Sequence, residues 1–200
     1  MPVFQPSDLL DQLTRETQTL VELVLTEFSP LSVDELNRQP APDRWSIAQC
    51  LEHLNSYGHY YLPQLEAAVL KGETESIRAI STFRSGWLGN YFANSMQPKA
   101  DGSIGLKMKA VKEHTPVSNL NASAVLAVFL EQQHALLELL ERAKQVNIQK
   151  LRIPISIARF IRLSVGDTFR FLIAHEQRHV LQARHVASGL ILRPNVSVES

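Results

Sequence analysis

One cysteine, an even charge balance and the want of any long apolar run set the first limits on this 200-residue chain. Cys50 alone cannot close an internal disulfide, and a lone cysteine on the apolar side of a predicted helix acts as a small hydrophobe, so a reducing compartment is expected. Lys plus Arg and Asp plus Glu are both 20, giving a formal net charge of zero. Such a chain has no overall field for nucleic acid or an anionic membrane, and neither is expected as a partner. The longest apolar segment, Ala122 to Leu130, is far short of the roughly 20 residues that span a bilayer. Met1 to Leu10 has no basic stretch followed by an apolar run, so a cytoplasmic location is expected. No Pro, Gly or Ser tract marks a linker, and the length suits one domain over residues 1–200. Strand signals are few: Leu151 to Ile157 alternates in part, but no partner strand can be read for it.

What remains is helical. From about Ser7, Leu10, Leu13, Thr17, Leu20, Val24 and Phe28 fall on one stripe that stops at Ser29-Pro30. A second helix begins at Ser46, which with Gln49 forms a capping box, and runs to about Lys71-Gly72. Its inward line is Cys50, His53 or Leu54, Tyr57, Tyr61, Leu65 and Ala68, and Gly58 and Pro63 predict a kink. A third starts at Asn121 and buries Val125, Phe129, Leu136, Leu137 and Leu140. The fourth starts near Asp167, carries Leu172, His175, His179, Gln182, Ala183 and Val186 inward, and stops at Gly189. Between the second and third lies a long crossover, Glu73 to Leu120, in which Phe83, Trp87, Leu88, Tyr91, Phe92 and Met96 suggest one short amphipathic helix. Ordinary packing, a substrate lid and a homodimer contact are alternative uses for that aromatic stripe. The basic residues around Lys107 to Lys112 read as a solvated loop, with reception of an anionic substrate as the alternative.

The chemistry lies in the histidines. His175 and His179 are about 40° apart and one turn from each other on an apolar face, so both imidazoles leave the helix together. One histidine in such a place is ordinarily a hydrogen-bonded core residue, whereas two at this spacing make half of a site for a metal that accepts imidazole. His53, also on an inward line, is the best donor of the other half. Three histidines leave coordination positions for water or substrate, as a catalytic site requires. His175-Glu176-Gln177-Arg178-His179 is also a literal H-E-x-x-H, and His185 stands where a metzincin peptidase has its third ligand. That pattern needs a helix-breaking glycine where this chain has Gln182. On a continuous helix His185 lies about 80° from His175 and nearly three turns away. Glu176 then points about 100° off the metal face, as a helix-surface or outer-sphere group rather than a general base. His59, His114 and His134 have no partner that the sequence identifies.

Two motifs carry a resemblance. Trp45-Ser46-Ile47-Ala48-Gln49-Cys50-Leu51-Glu52-His53 places a histidine eight residues after a tryptophan-serine helix start, and His175-x3-His179-x2-Gln182 is a histidine pair followed by glutamine. With the helix order, these resemble the DinB-like superfamily of helical metalloproteins, related to the thiol transferases that use bacillithiol or mycothiol. The resemblance implies an all-α fold, a four-helix bundle of up-down-down-up order. It also implies zinc or nickel held by His53, His175 and His179, with Trp45 packed at the helix start and Gln182 orienting a ligand or facing the pocket. The function expected on that basis is transfer of a low-molecular-weight thiol to a small electrophilic substrate, with homodimers common. Metal-assisted hydrolysis at the same site and a non-catalytic metal-binding stress protein are the alternatives.

Overall fold

The computed structural model describes residues 1–99, 103 and 111–191. In chain order these form β1 (Val3–Phe4), α1 (Pro6–Leu23, extended by a π-helical turn Val24–Phe28), α2 (Val33–Asn37), α3 (Ile47–Thr74), β2 (Phe83–Arg84) and α4 (Trp87–Met96). A 3-10 turn (Lys112–His114), α5 (Ala122–Ala143), β3 (Arg152–Ile155), β4 (Ala158–Ser164) and α6 (Val165–Ile191) follow. None of the described helices is long and apolar enough to cross a membrane.

The four long helices are α1, α3, α5 and α6, and their contacts fix the bundle order. Asn55 Nδ2 of α3 donates to the Val125 carbonyl of α5, and further along both helices Arg142 pairs with Glu66 and Glu73, so α3 and α5 run in the same direction. Trp45 lies by His179 while Tyr61 lies by Phe171, so α6 opposes α3. Asp11, early in α1, pairs with Lys144 just past the end of α5, and Glu27 pairs with Arg184 late in α6. The order is up-down-down-up, as expected, and the crossover between the parallel pair contains the short helix α4.

Local chemistry sets most of the ends as anticipated. Ser46 and Gln49 form a reciprocal capping box at the start of α3, and Asn121 Oδ1 accepts from the Ala124 amide at the start of α5. A second capping box, Ser32 with Glu35, opens the short α2, which the periodicity did not reveal. α3 continues through Gly58 and Pro63 and passes the expected stop at Gly72 to end at Thr74, before Ser76 in left-handed backbone (φ 51°). Gly72 has a different use: a Cβ there would come within 2.8 Å of Val146 and Leu151, so glycine lets the chain after α5 pack directly on α3. At the other end α6 runs through Gly189 to Ile191 rather than stopping at that glycine.

The segment Leu151 to Ile157 is a correction to the sequence reading, because it does have a partner. β3 pairs antiparallel with β4, Ile153 opposite Leu163, with an irregularity at Pro154/Ile155. The partner, Ala158 to Ser164, has Arg159, Phe160 and Arg162 exposed and Leu163 and Ser164 buried. A two-stranded bridge of β1 with β2 ties the N-terminus to the crossover.

The core has two apolar clusters, one around Leu10, Leu65, Leu140 and Phe169, the other around Val24, Leu51, Phe129 and Val180. Between them a polar layer crosses the bundle. Gln132 Nε2 donates to the Asn55 carbonyl and Gln133 Nε2 to Glu176 Oε1, each at 3.1 Å. The histidines occupy the same level. Beside them α4 is held against α6 by Asp167, which accepts from the Gly86 amide (2.9 Å), from Ser164 Oγ (2.8 Å) and from Ser85 Oγ. A Cβ on Gly89 would overlap the Asp167 side chain, so that glycine permits the close approach. The aromatic stripe is thereby divided: Phe83 is buried and Phe92 half-buried, whereas Trp87 and Tyr91 face outward.

Candidate metal centre

His53, His175 and His179 come together with one ring nitrogen of each within 4.8 Å of the others. α3 supplies the first from its second turn, and α6 supplies the pair one turn apart on the face that meets α3. All three are buried, at 3%, 2% and 9% exposure. His53 and His175 face each other through their Nε2 atoms at 3.2 Å. Two nitrogens bound to one tetrahedral zinc at about 2.05 Å would stand about 3.3 Å apart, so this pair is already at the spacing a shared ion requires.

The outer contacts orient the rings for that purpose. His53 Nδ1 donates to the carbonyl of His114 at 2.6 Å, and His179 Nδ1 donates to Gln182 Oε1 at 3.0 Å. Each bond places the ring proton on Nδ1 and leaves Nε2 as the lone-pair nitrogen. Nδ1 of His175 is buried with no hydrogen-bond partner among the described residues, while its Nε2 faces the cluster. Burial above all, and then the neighbouring imidazoles, hold the three down: His53 to about 4, His179 to about 3, and His175 well below the usual histidine value. At neutral pH the cluster is uncharged and offers lone pairs, the state a divalent cation needs.

Aromatic rings wall the cluster. Trp45 lies 4.9 Å from the His53 ring and 5.7 Å from that of His179, Tyr57 is 4.4 Å from His175, and Phe171 stacks on His175 at 5.8 Å. Beyond them a cavity of about 1140 Å³ opens from the three histidines, ample for a small organic ligand.

The peptidase pattern fails on two observations. α6 continues unbroken through Gln182, and His185 is an exposed residue outside the three-histidine cluster. Glu176 turns away from the cavity and is buried against Gln133 of α5, where burial pushes its carboxyl up to about 8. It is therefore not the surface residue that its angle from the metal face suggested.

Gln182 bonds His179 and also lines the cavity, so both of the positions expected of it are occupied. His114 is the residue that sequence reasoning missed. Its ring packs at a tilt against Tyr57, with centroids 4.0 Å apart, and bonds Ser56 Oγ at 2.9 Å through Nδ1, which fixes the turn whose carbonyl holds His53. No spacing rule announces a backbone acceptor. His59 and His134 are exposed and lie outside the cluster. The basic run is not placed: of Lys107 to Lys112, residues 107–110 lie outside the described residues. Replacing Gln182 by alanine is expected to weaken metal binding about 10-fold, the low end for loss of an outer ligand-orienting contact, as read by competition with a chromophoric chelator. Substitution of the exposed His134 should leave it unchanged.

None of the curated proteins and none of the solved structures gives a match to this chain. The family model of the DinB superfamily matches residues 12–183, a span that contains most of the bundle core and all three histidines. With the helix order and the histidine cluster in agreement, the chain belongs to the DinB superfamily.

Proposed function

We propose that the protein is a metal-dependent enzyme that transfers a low-molecular-weight thiol to an electrophilic substrate, with His53, His175 and His179 as the ligands of zinc or nickel. The observation that supports this most directly is the meeting of three neutral, oriented imidazoles at one side of a large cavity in a DinB-superfamily chain. A divalent ion in that position supplies Lewis acidity, which lowers the pKa of a thiol and makes thiolate available at neutral pH. The protein's own residues do the rest. His114 and Gln182 hold two ligand rings in the required tautomer, while Trp45, Tyr57 and Phe171 exclude water from one side of the cluster. Tyr57 remains a neutral phenol, because burial raises it to about 12.

The nucleophilic sulfur has to come from outside. Cys50 is completely buried among apolar side chains, and burial pushes its thiol well up, away from the reactive thiolate. The competing readings have less support. Activation of water would use a carboxylate or another base close to the open position, yet Glu176 faces α5, and Asp43 and His185, which line the cavity, are both exposed. A non-catalytic metal protein calls for a closed site, and this one opens into a cavity.

Cobalt substitution tests the proposal. Cysteine, cysteamine and other low-molecular-weight cellular thiols, added one at a time, are expected to shift the visible bands of the cobalt protein for at least one thiol. Bands unchanged by the whole series would overturn thiol transfer.

A further inference from the structure

The cavity is not uniform, and its two directions from the histidines differ in chemistry. α3 and α6 run antiparallel across it, so position along α6 gives position along the cavity. About 6 Å before His175 in helix rise stands Phe171, and about 9 Å beyond His179 stands His185. On the Phe171 side the walls are Tyr61, Phe92, Ile155 and Leu163, supplied by α3, α4 and the β3–β4 hairpin. Tyr61, Ile155, Leu163 and Phe171 are all buried there. Tyr91 and Ile157, exposed at 56% and 58%, also line the cavity on this side. On the His185 side Gln182, His185, Asp43 and Arg44, three of them exposed, line the cavity beside Pro40, Ala41 and Val186.

We infer that the histidine cluster divides the cavity into an apolar arm, which takes an aromatic or aliphatic group of the substrate, and an open polar arm. This rests on the proposed function and names its substrate class: the electrophile carries an apolar body that lies between α4 and the β3–β4 hairpin, while a hydrophilic thiol lies toward Arg44 and His185. The walls decide the assignment. An apolar body gains most by leaving water where the surrounding surface is apolar and closed, and the arm with the exposed Asp43, Arg44 and His185 offers less of both. Conversely, a charged thiol keeps its hydration in the open arm and would lose it in the other.

Two hydroxamates with the same metal-binding head, acetohydroxamate and 4-phenylbutanohydroxamate, test this on the metal-loaded full chain by calorimetry. The phenyl compound is expected to bind at least about 30-fold more tightly, given the apolar area it buries. Ile157→Asp and Tyr91→Asp, both at exposed positions where a charge is tolerated, should each reduce that advantage about 10-fold and leave acetohydroxamate binding unchanged. Arg44→Glu should leave the advantage intact. Equal affinities in the wild type, equal losses for both compounds in the aspartate variants, or loss of the advantage in Arg44→Glu alone would overturn the inference. The metal-free chain gives a reading that needs neither metal nor thiol: 4-phenylbutan-1-ol should bind it and be weakened by the same two aspartates. Failure of the cobalt–thiol experiment with this binding intact would remove the thiol and keep the apolar arm, whereas absence of phenylbutanol binding would remove the arm itself.

Discussion

His175→Ala is expected to lower metal affinity by at least about 100-fold, with His53→Ala and His179→Ala close behind, because each removes one of three protein ligands and leaves the other two at a spacing set for three. Metal content after gel filtration, measured beside the wild type, reads this directly. Unchanged occupancy in all three variants would sink the site. The wild type should also lose thermal stability on treatment with a chelator, by about 4 kcal/mol where the free ion had stood at about 1,000 times its dissociation constant. The alanine variants should lose far less, having little bound metal to surrender. The pH dependence of the metal-free chain has a defined sign. The folded values, about 4 for His53 and about 3 for His179, lie below the 6.5 of an unfolded histidine. Between these limits the unfolded chain holds protons that the folded chain does not. The stabilisation is therefore fully present above pH 6.5 and is lost as pH falls through 4 and then 3. Denaturant unfolding of the chelated protein at pH 7, 5.5 and 4 should show that decline.

Glu176→Gln is expected to stabilise the protein in mild alkali and to leave metal binding as it was. Glu176 is fully buried in the polar layer, where it accepts from Gln133, and its carboxyl is raised from 4.5 to about 8. Here the sign is reversed. As pH rises from 4.5 to 8 the unfolded chain releases a proton that the folded chain retains, so stability present below pH 4.5 is lost through this window. Glutamine keeps an acceptor for Gln133 and removes the titration. At pH 8 the variant should exceed the wild type by on the order of 2–4 kcal/mol, and at pH 4.5 the two should nearly coincide. Equal stability at both pH values would show that the carboxyl is not held neutral. The same variant separates this protein from a zinc peptidase, in which loss of the glutamate of H-E-x-x-H removes the general base. The thiol transfer proposed for the site should proceed unchanged.

Much of this was legible before any coordinates. The apolar stripe of α1 is buried at every position from Leu10 to Phe28 that the periodicity selected, and the Ser46 and Asn121 caps sit where hydroxyl and amide chemistry put them. The meeting of His53 with the α6 pair followed from inward lines together with a family pattern, because periodicity alone says which face a residue takes and not which helix it meets. What escaped was of other kinds. One apolar stripe on α6 makes Glu176 a helix-surface or outer-sphere group, whereas α6 packs against α1, α3 and α4 and all of its residues 171–176 are buried. Phe169, Phe171, Leu172, Ile173 and Ala174 in near succession were the available sign of that. The β3–β4 hairpin escapes notice because its second strand is seven residues of mixed arginine and apolar character with no regular alternation of exposed and buried side chains. Such a strand differs little from a linker until its partner is known.

The bond from His53 Nδ1 to a main-chain carbonyl places an unusual restriction on how this protein can vary. Every amino acid brings a carbonyl, so position 114 can change its side chain and still anchor the imidazole, helped or hindered only by how well the turn is packed on Ser56 and Tyr57. The length of the turn itself, residues 112–114, has no such freedom. An insertion or deletion within it would withdraw the acceptor and free the ring to rotate. In this turn, drift in composition is tolerated while drift in length is not.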